Sequence, residues 1–71
     1  MTALVSIITP SYNSAKFIAE TIQSVQNQTY QNWEMIIVDD GSSDETENVV
    51  LSIIQKDNRI QFHKLSQNSG P

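Results

Sequence analysis

Apolar positions along the chain switch between two periods, and each switch marks an element. The run Ala3 to Thr9 contains Val5, Ile7 and Ile8, the β-branched content of a buried strand. Pro10 is expected to stop it, because proline cannot donate to a ladder. After the polar turn Ser11-Tyr12-Asn13-Ser14, the residues Ala15, Ile18, Ile22 and Val25 recur at helical spacing and share one face. Asn13 or Ser14 is the expected cap, a side-chain oxygen taking an orphan amide of the first turn. Thr29 to Asn32 break the period. Trp33 to Val38 then form an apolar stretch interrupted only by Glu34, as in a strand covered on both faces, and it ends at Asp39-Asp40. Gly41 and Ser42 make the next turn, and Ser42 with Glu45 has the spacing of a capping box. Val49, Val50, Ile53 and Ile54 supply the buried stripe of a second helix. After the turn at Asp57-Asn58, Ile60, Phe62 and Lys64 alternate with Gln61, His63 and Leu65, which predicts a strand with one poorly covered face.

Strand, helix, strand, helix, strand is a β-α-β-α-β unit, and right-handed parallel crossovers give it the strand order 3-2-1. Such a unit is half of a doubly wound α/β domain and leaves its first strand as an open edge. Residues 1–71 are therefore expected to be a fragment, with residues 66–71 a loop leading to a missing remainder. An open edge also invites a homo-oligomer that pairs it away.

Composition narrows the partners. Eight acidic residues against four basic ones give a net charge of −4, which opposes attraction to nucleic acid or to anionic lipid. The cations Lys16, Lys56, Arg59 and Lys64 are scattered and form no basic run. The chain has no cysteine, so a reducing cytoplasm is the expected location. No apolar run approaches the roughly 18 residues of a membrane span, and no membrane contact is expected from this segment.

Ligands of open parallel sheets bind at the carboxyl ends of the strands. Here those ends carry Thr9-Pro10-Ser11-Tyr12-Asn13 and Asp39-Asp40-Gly41-Ser42. A carboxylate after the second strand can accept from a ribose hydroxyl or a base imide, and an aromatic ring after the first can stack on a flat heterocycle. Together they suggest a nucleoside pocket. The glycine fingerprints of dinucleotide and P-loop sites are missing from the first turn, where Pro10 and Tyr12 stand instead. Phosphates must then be held another way, of which a metal is the usual one.

Three stretches of the chain, Val5-Ser6-Ile7-Ile8-Thr9-Pro10-Ser11-Tyr12-Asn13, Ser24-Val25-Gln26-Asn27-Gln28-Thr29-Tyr30 and Trp33-Glu34-Met35-Ile36-Ile37-Val38-Asp39-Asp40-Gly41-Ser42-Ser43-Asp44, closely resemble the opening of inverting family 2 glycosyltransferases. Asn68-Ser69-Gly70-Pro71 resembles the start of that family's next loop. The resemblance implies the first half of a Rossmann-like GT-A domain, of the nucleotide-diphospho-sugar transferase type. It further implies a nucleotide-sugar partner such as a UDP-sugar, whose sugar passes to a hydroxyl with inversion. Pro10 and Tyr12 would contact the base, Asp40 would accept the uracil-type imide hydrogen, and Asp39 would steady the loop or reach the ribose. The family's later D-x-D motif, which holds a divalent Mg or Mn ion, and its catalytic base are not in this sequence. By that resemblance the fragment itself holds no cofactor or catalytic residue and is inactive.

Other readings are weaker. On its own, Asp39-Asp40-Gly41-Ser42 is an ordinary capped turn; the flanking motifs tip the reading toward a ligand. Adjacent carboxylates in a turn point different ways, which disfavours a metal between them. Tyr12 could instead close its loop onto the first helix, Trp33 and Phe62 read as packing, and His63 reads as a solvated side chain with no ligand partner. A receiver-like α/β module would need an acid on a later strand and a lysine, and a noncatalytic binding or self-associating module is the remaining alternative.

Overall fold

The computed structural model describes residues 3–65; the loop expected over residues 66–71, with Asn68-Ser69-Gly70-Pro71, lies outside the described residues. Five elements follow one another: β1 (Val5–Ser11), α1 (Ala15–Gln26), β2 (Trp33–Asp39), α2 (Thr46–Ile54) and β3 (Ile60–Lys64). The strands pair in the order β1-β2-β3, all parallel, with Ile7 opposite Met35 and Met35 opposite Ile60. This is the expected order, with β2 central and β1 at an edge.

Two right-handed crossovers advancing in one direction put both helices on the same face of the sheet. The core lies there. Ile18 and Ile22 of α1 and Val50 of α2 bury against Trp33, Met35 and Ile37 of β2 and Ile60 of β3. Ile7, Val25, Val49, Ile53, Ile54 and Phe62 pack around them, partly buried.

The second face is bare, which corrects two expectations. β2 alternates buried and half-buried residues along its whole length, so it is covered on one face and not on both. Of the aliphatic residues of β1 only Ile7 is partly buried, while Val5 and Ile8 are exposed, Ile8 by 61%. The apolar residues of that open face are Ile8, Ile36 and Val38, aligned across the strands.

Nor does Pro10 end β1, which continues to Ser11. Val5 N–H donates to Asn32, and the Ser11 carbonyl accepts from Asp40. By the two-residue period of a strand, the nitrogen of Pro10 then faces the open edge, where no ladder bond is lost. At the opposite end of the sheet, Arg59 grips Asp57 through Nε at 2.9 Å and Nη2 at 2.8 Å. Its guanidinium carbon lies 3.8 Å from the centroid of the Trp33 ring, which confirms Trp33 as packing. His63 is exposed, with Nε2 3.1 Å from Gln61 Oε1.

Candidate functional site

The carboxyl ends of β1 and β2 deliver two loops side by side, Tyr12 to Ser14 and Asp40 to Glu45. Asp39, the last residue of β2, is fully buried, with 0% of its surface exposed. Its Oδ1 accepts from Ser11 Oγ at 2.7 Å and from Ser42 Oγ at 2.5 Å, and its Oδ2 accepts from Ser42 N–H at 2.8 Å. Burial works to raise the pKa of this carboxyl, but the bonds from Ser42 and Ser11, helped by the charge of Lys64, outweigh it and hold the group below the usual carboxylate range. A buried charge is tolerable only when it is bonded in this way. The turn after β2 is thus tied down by the residue that begins it.

The neighbouring acid behaves differently. Asp40 is exposed, and while its N–H donates to the Ser11 carbonyl at 2.9 Å, nothing among the described residues bonds its carboxylate. Tyr12 is 59% exposed, and Pro10 is exposed as well. The four residues singled out from sequence therefore divide into Asp39 beneath the rim and Pro10, Tyr12 and Asp40 on it.

Further bonds stitch the loops together. Asn13 N–H donates to Ser42 Oγ at 2.7 Å, and Asn13 Oδ1 accepts from Ser43 N–H at 2.9 Å. Ser14 N–H donates to Thr46 Oγ1 at 2.8 Å, and that hydroxyl in turn donates to Asp44. Asp44 also accepts from Thr46 N–H at 2.9 Å and from Ala15 N–H at 3.3 Å. These bonds, led by the Thr46 hydroxyl, lower its pKa.

This corrects both capping expectations. Ser14 precedes α1 but makes no side-chain cap bond; its hydroxyl instead donates to the Tyr12 carbonyl. Ser42 is not the cap of α2, which begins only at Thr46, because its hydroxyl is committed to Asp39. Asp44, on the loop between β2 and α2, accepts from the first amides of both helices, Ala15 and Thr46. The sequence reading missed Ser11, Asn13, Asp44 and Thr46 as members of this unit. The signal available was weak: a polar residue at nearly every position of both loops, with no local partner required.

The set does not suit a metal. Both oxygens of Asp39 are engaged by hydroxyl and amide donors, Asp40 stands alone, and no group of three or more His, Cys, Asp or Glu side chains that could hold an ion occurs among the described residues. What the rim offers is an exposed ring beside an exposed carboxylate, both carried on a hydrogen-bonded base.

A parallel β-α-β-α-β unit with polar loops at its strand ends has the architecture of half of a doubly wound α/β domain. The chain is a member of glycosyl transferase family 2, whose family model matches residues 6–71. It is similar to a Bacillus subtilis (strain 168) glycosyltransferase named for teichuronic acid biosynthesis, with 48% identity over 67 residues, 94% of this chain and 27% of that protein. It is also similar to the Escherichia coli UDP-Glc:α-D-GlcNAc-diphosphoundecaprenol β-1,3-glucosyltransferase, with 52% identity over 59 residues, 83% of this chain and 22% of that protein. Among solved structures, the mannosyltransferase of Pyrobaculum calidifontis in complex with GDP-Man and Mn2+ superposes with a TM-score of 0.81 at 25% identity, over 94% of this chain and 21% of that one. The fold is thus the opening half of a GT-A domain. The chain spans 27% or less of the length of the curated relatives compared with it.

Proposed function

We propose that this segment receives the nucleoside end of a sugar nucleotide in a glycosyltransferase that moves the sugar to a hydroxyl with inversion. The observation that carries the proposal is the pairing of Tyr12 and Asp40 on one rim, both exposed, over loops tied to each other by Asp39, Ser42 and Asn13. Tyr12 supplies a face for the base, Pro10 borders it, and Asp40 accepts the imide hydrogen. Asp39 acts from below, holding the turn that presents Asp40. A UDP-linked donor is the first choice, supported by the relative named for UDP-Glc.

A divalent ion, Mg or Mn, belongs to the same proposal for the whole protein, supported by the Mn2+ complex of the mannosyltransferase. Since the described residues do not fit one, we assign its ligands and the catalytic base to other parts of the protein. The segment alone is then inactive. The cytoplasm is the proposed location, and neither nucleic acid nor a membrane is a proposed partner of this segment.

Calorimetric titration of the full-length protein with UDP, GDP and dTDP tests the reading. Saturable binding of one of them, with the others weaker, is expected. Failure of all three to bind would end it.

A further inference from the structure

Tyr12 and Asp40 are placed by what flanks them. Ser11 lies on one side of Tyr12 and Asn13 on the other; Asp39 and the turn Gly41-Ser42-Ser43 lie on either side of Asp40. On the strand side, the loops are joined by Asp40 N–H to the Ser11 carbonyl and by Ser11 Oγ to Asp39. On the far side, Asn13 joins them twice, its N–H donating to Ser42 Oγ at 2.7 Å and its Oδ1 accepting from Ser43 N–H at 2.9 Å. The bonds close a ring around the two rim residues.

Asn13 is also the non-glycine residue with a positive φ among the described residues, at 47°, in the left-handed region that asparagine tolerates better than most. That conformation turns the backbone so that its N–H and its side-chain oxygen both reach the other loop. In the other loop Gly41 has φ 80°, so the turn that carries Asp40 has a conformationally permissive residue directly after the carboxylate. Without Asn13 Oδ1, the Ser43 end of that turn loses its amide acceptor, and Asp40 is held chiefly from the Asp39 side.

We infer that Asn13 is a positioning residue for nucleotide recognition, setting through Ser43 where Asp40 stands relative to Tyr12. The inference rests on the nucleotide site proposed above. A base stacked on a ring can donate its imide hydrogen only to an acceptor near its own plane. The height of the carboxylate over the ring therefore decides whether both contacts form together. Fixing that height before binding spares the ordering cost at binding. Asn13 does this without touching the nucleotide.

The test uses the full-length protein and three substitutions. Asn13→Gly leaves the positive φ free of penalty and removes Oδ1; Asn13→Ala removes Oδ1 and adds backbone strain; Asn13→Asp keeps an oxygen acceptor at the same place. Asn13→Gly and Asn13→Ala are expected to weaken UDP binding roughly three- to tenfold, the range of one neutral hydrogen bond. The donor KM should rise in the same ratio with kcat within about twofold of the unaltered protein. Asn13→Asp should recover most of the loss, and amide exchange at Ser43 should quicken in the glycine variant and slow again in the aspartate one.

Unchanged UDP affinity in Asn13→Gly, in a protein where Asp40→Asn weakens binding, overturns the inference and leaves the site standing. So does a fall in kcat with KM unchanged. If the unaltered protein binds none of UDP, GDP and dTDP, the nucleotide site itself fails and this inference with it.

Discussion

Asp39 and Asp40 are adjacent in sequence and opposite in circumstance, and the difference is the alternation of a strand. Asp39 sits at a register position that faces the helices, opposite Ser11 in β1; Asp40 is the first residue past the ladder. Removing the Asp39 carboxylate leaves two hydroxyls and an amide without their acceptor. Asp39→Ala is therefore expected to cost about 2–4 kcal/mol, from unsatisfied buried groups, as read by urea unfolding. The sign of its pH dependence follows from its lowered pKa. The folded protein holds the charged form better than the unfolded chain does, so the stabilisation is present at neutral pH and fades as pH falls below about 4, the unfolded value. Asp57, whose pKa the hydrogen bonds and charge of Arg59 lower even against burial, adds to the same loss. Unfolding midpoints measured from pH 7 down to pH 3 should drop more steeply in the unaltered protein than in Asp39→Asn. An equal drop would mean that Asp39 is not the buried charge described. At this scale the sequence told that the pair mattered and that its members point apart. It could not tell which oxygen was buried, because that depends on Ser11 and Ser42, brought in by the pairing of β1 with β2.

At the scale of elements, the periodic residues were readable and the caps were not. Ile18, Ile22, Val50 and Ile60 fell where their spacing put them, since a helix face is decided within one helix. Asp44 caps across elements, and its partner Ala15 is 29 residues away, beyond the reach of any local motif. Asp44→Ala should leave the folded core intact but release Ala15 and Thr46, so that their amides exchange faster than those of Ile22 and Val50. Uniform protection across the four would contradict the shared cap. A second cross-element feature is Arg59, which bonds Asp57 and Gln31 while lying over Trp33. Arg59→Ala is expected to cost about 1–2 kcal/mol, as a partly exposed ion pair with a cation–π contact. It should also shift the fluorescence of Trp33, the single tryptophan. Nucleotide affinity should not change, because this cluster is at the amino end of the sheet; a loss of affinity would connect the two ends in a way the fold does not suggest.

Taken whole, the molecule is a sheet with both helices on one side. The sequence reading assumed a second covered face for β2, because Met35, Ile36, Ile37 and Val38 run without a polar break. Such a run reports what the strand is built to bury, and not whether the covering element lies within the same 71 residues. With Ile8, Ile36 and Val38 uncovered and β1 unpaired along its outer edge, the isolated segment should self-associate. Light scattering is expected to show species larger than a monomer that Ile8→Glu reduces, and a monomeric segment at high concentration would argue against an open edge that sticks. The full-length protein tests the central claim most directly, by comparing UDP affinity in the unaltered form, Tyr12→Ala and Asp40→Asn. Both substitutions should weaken binding, Asp40→Asn by roughly tenfold or more as a charge-assisted bond is lost, with thermal stability hardly moved since both side chains are exposed. Equal affinity in all three would contradict the assignment of this rim to the nucleotide.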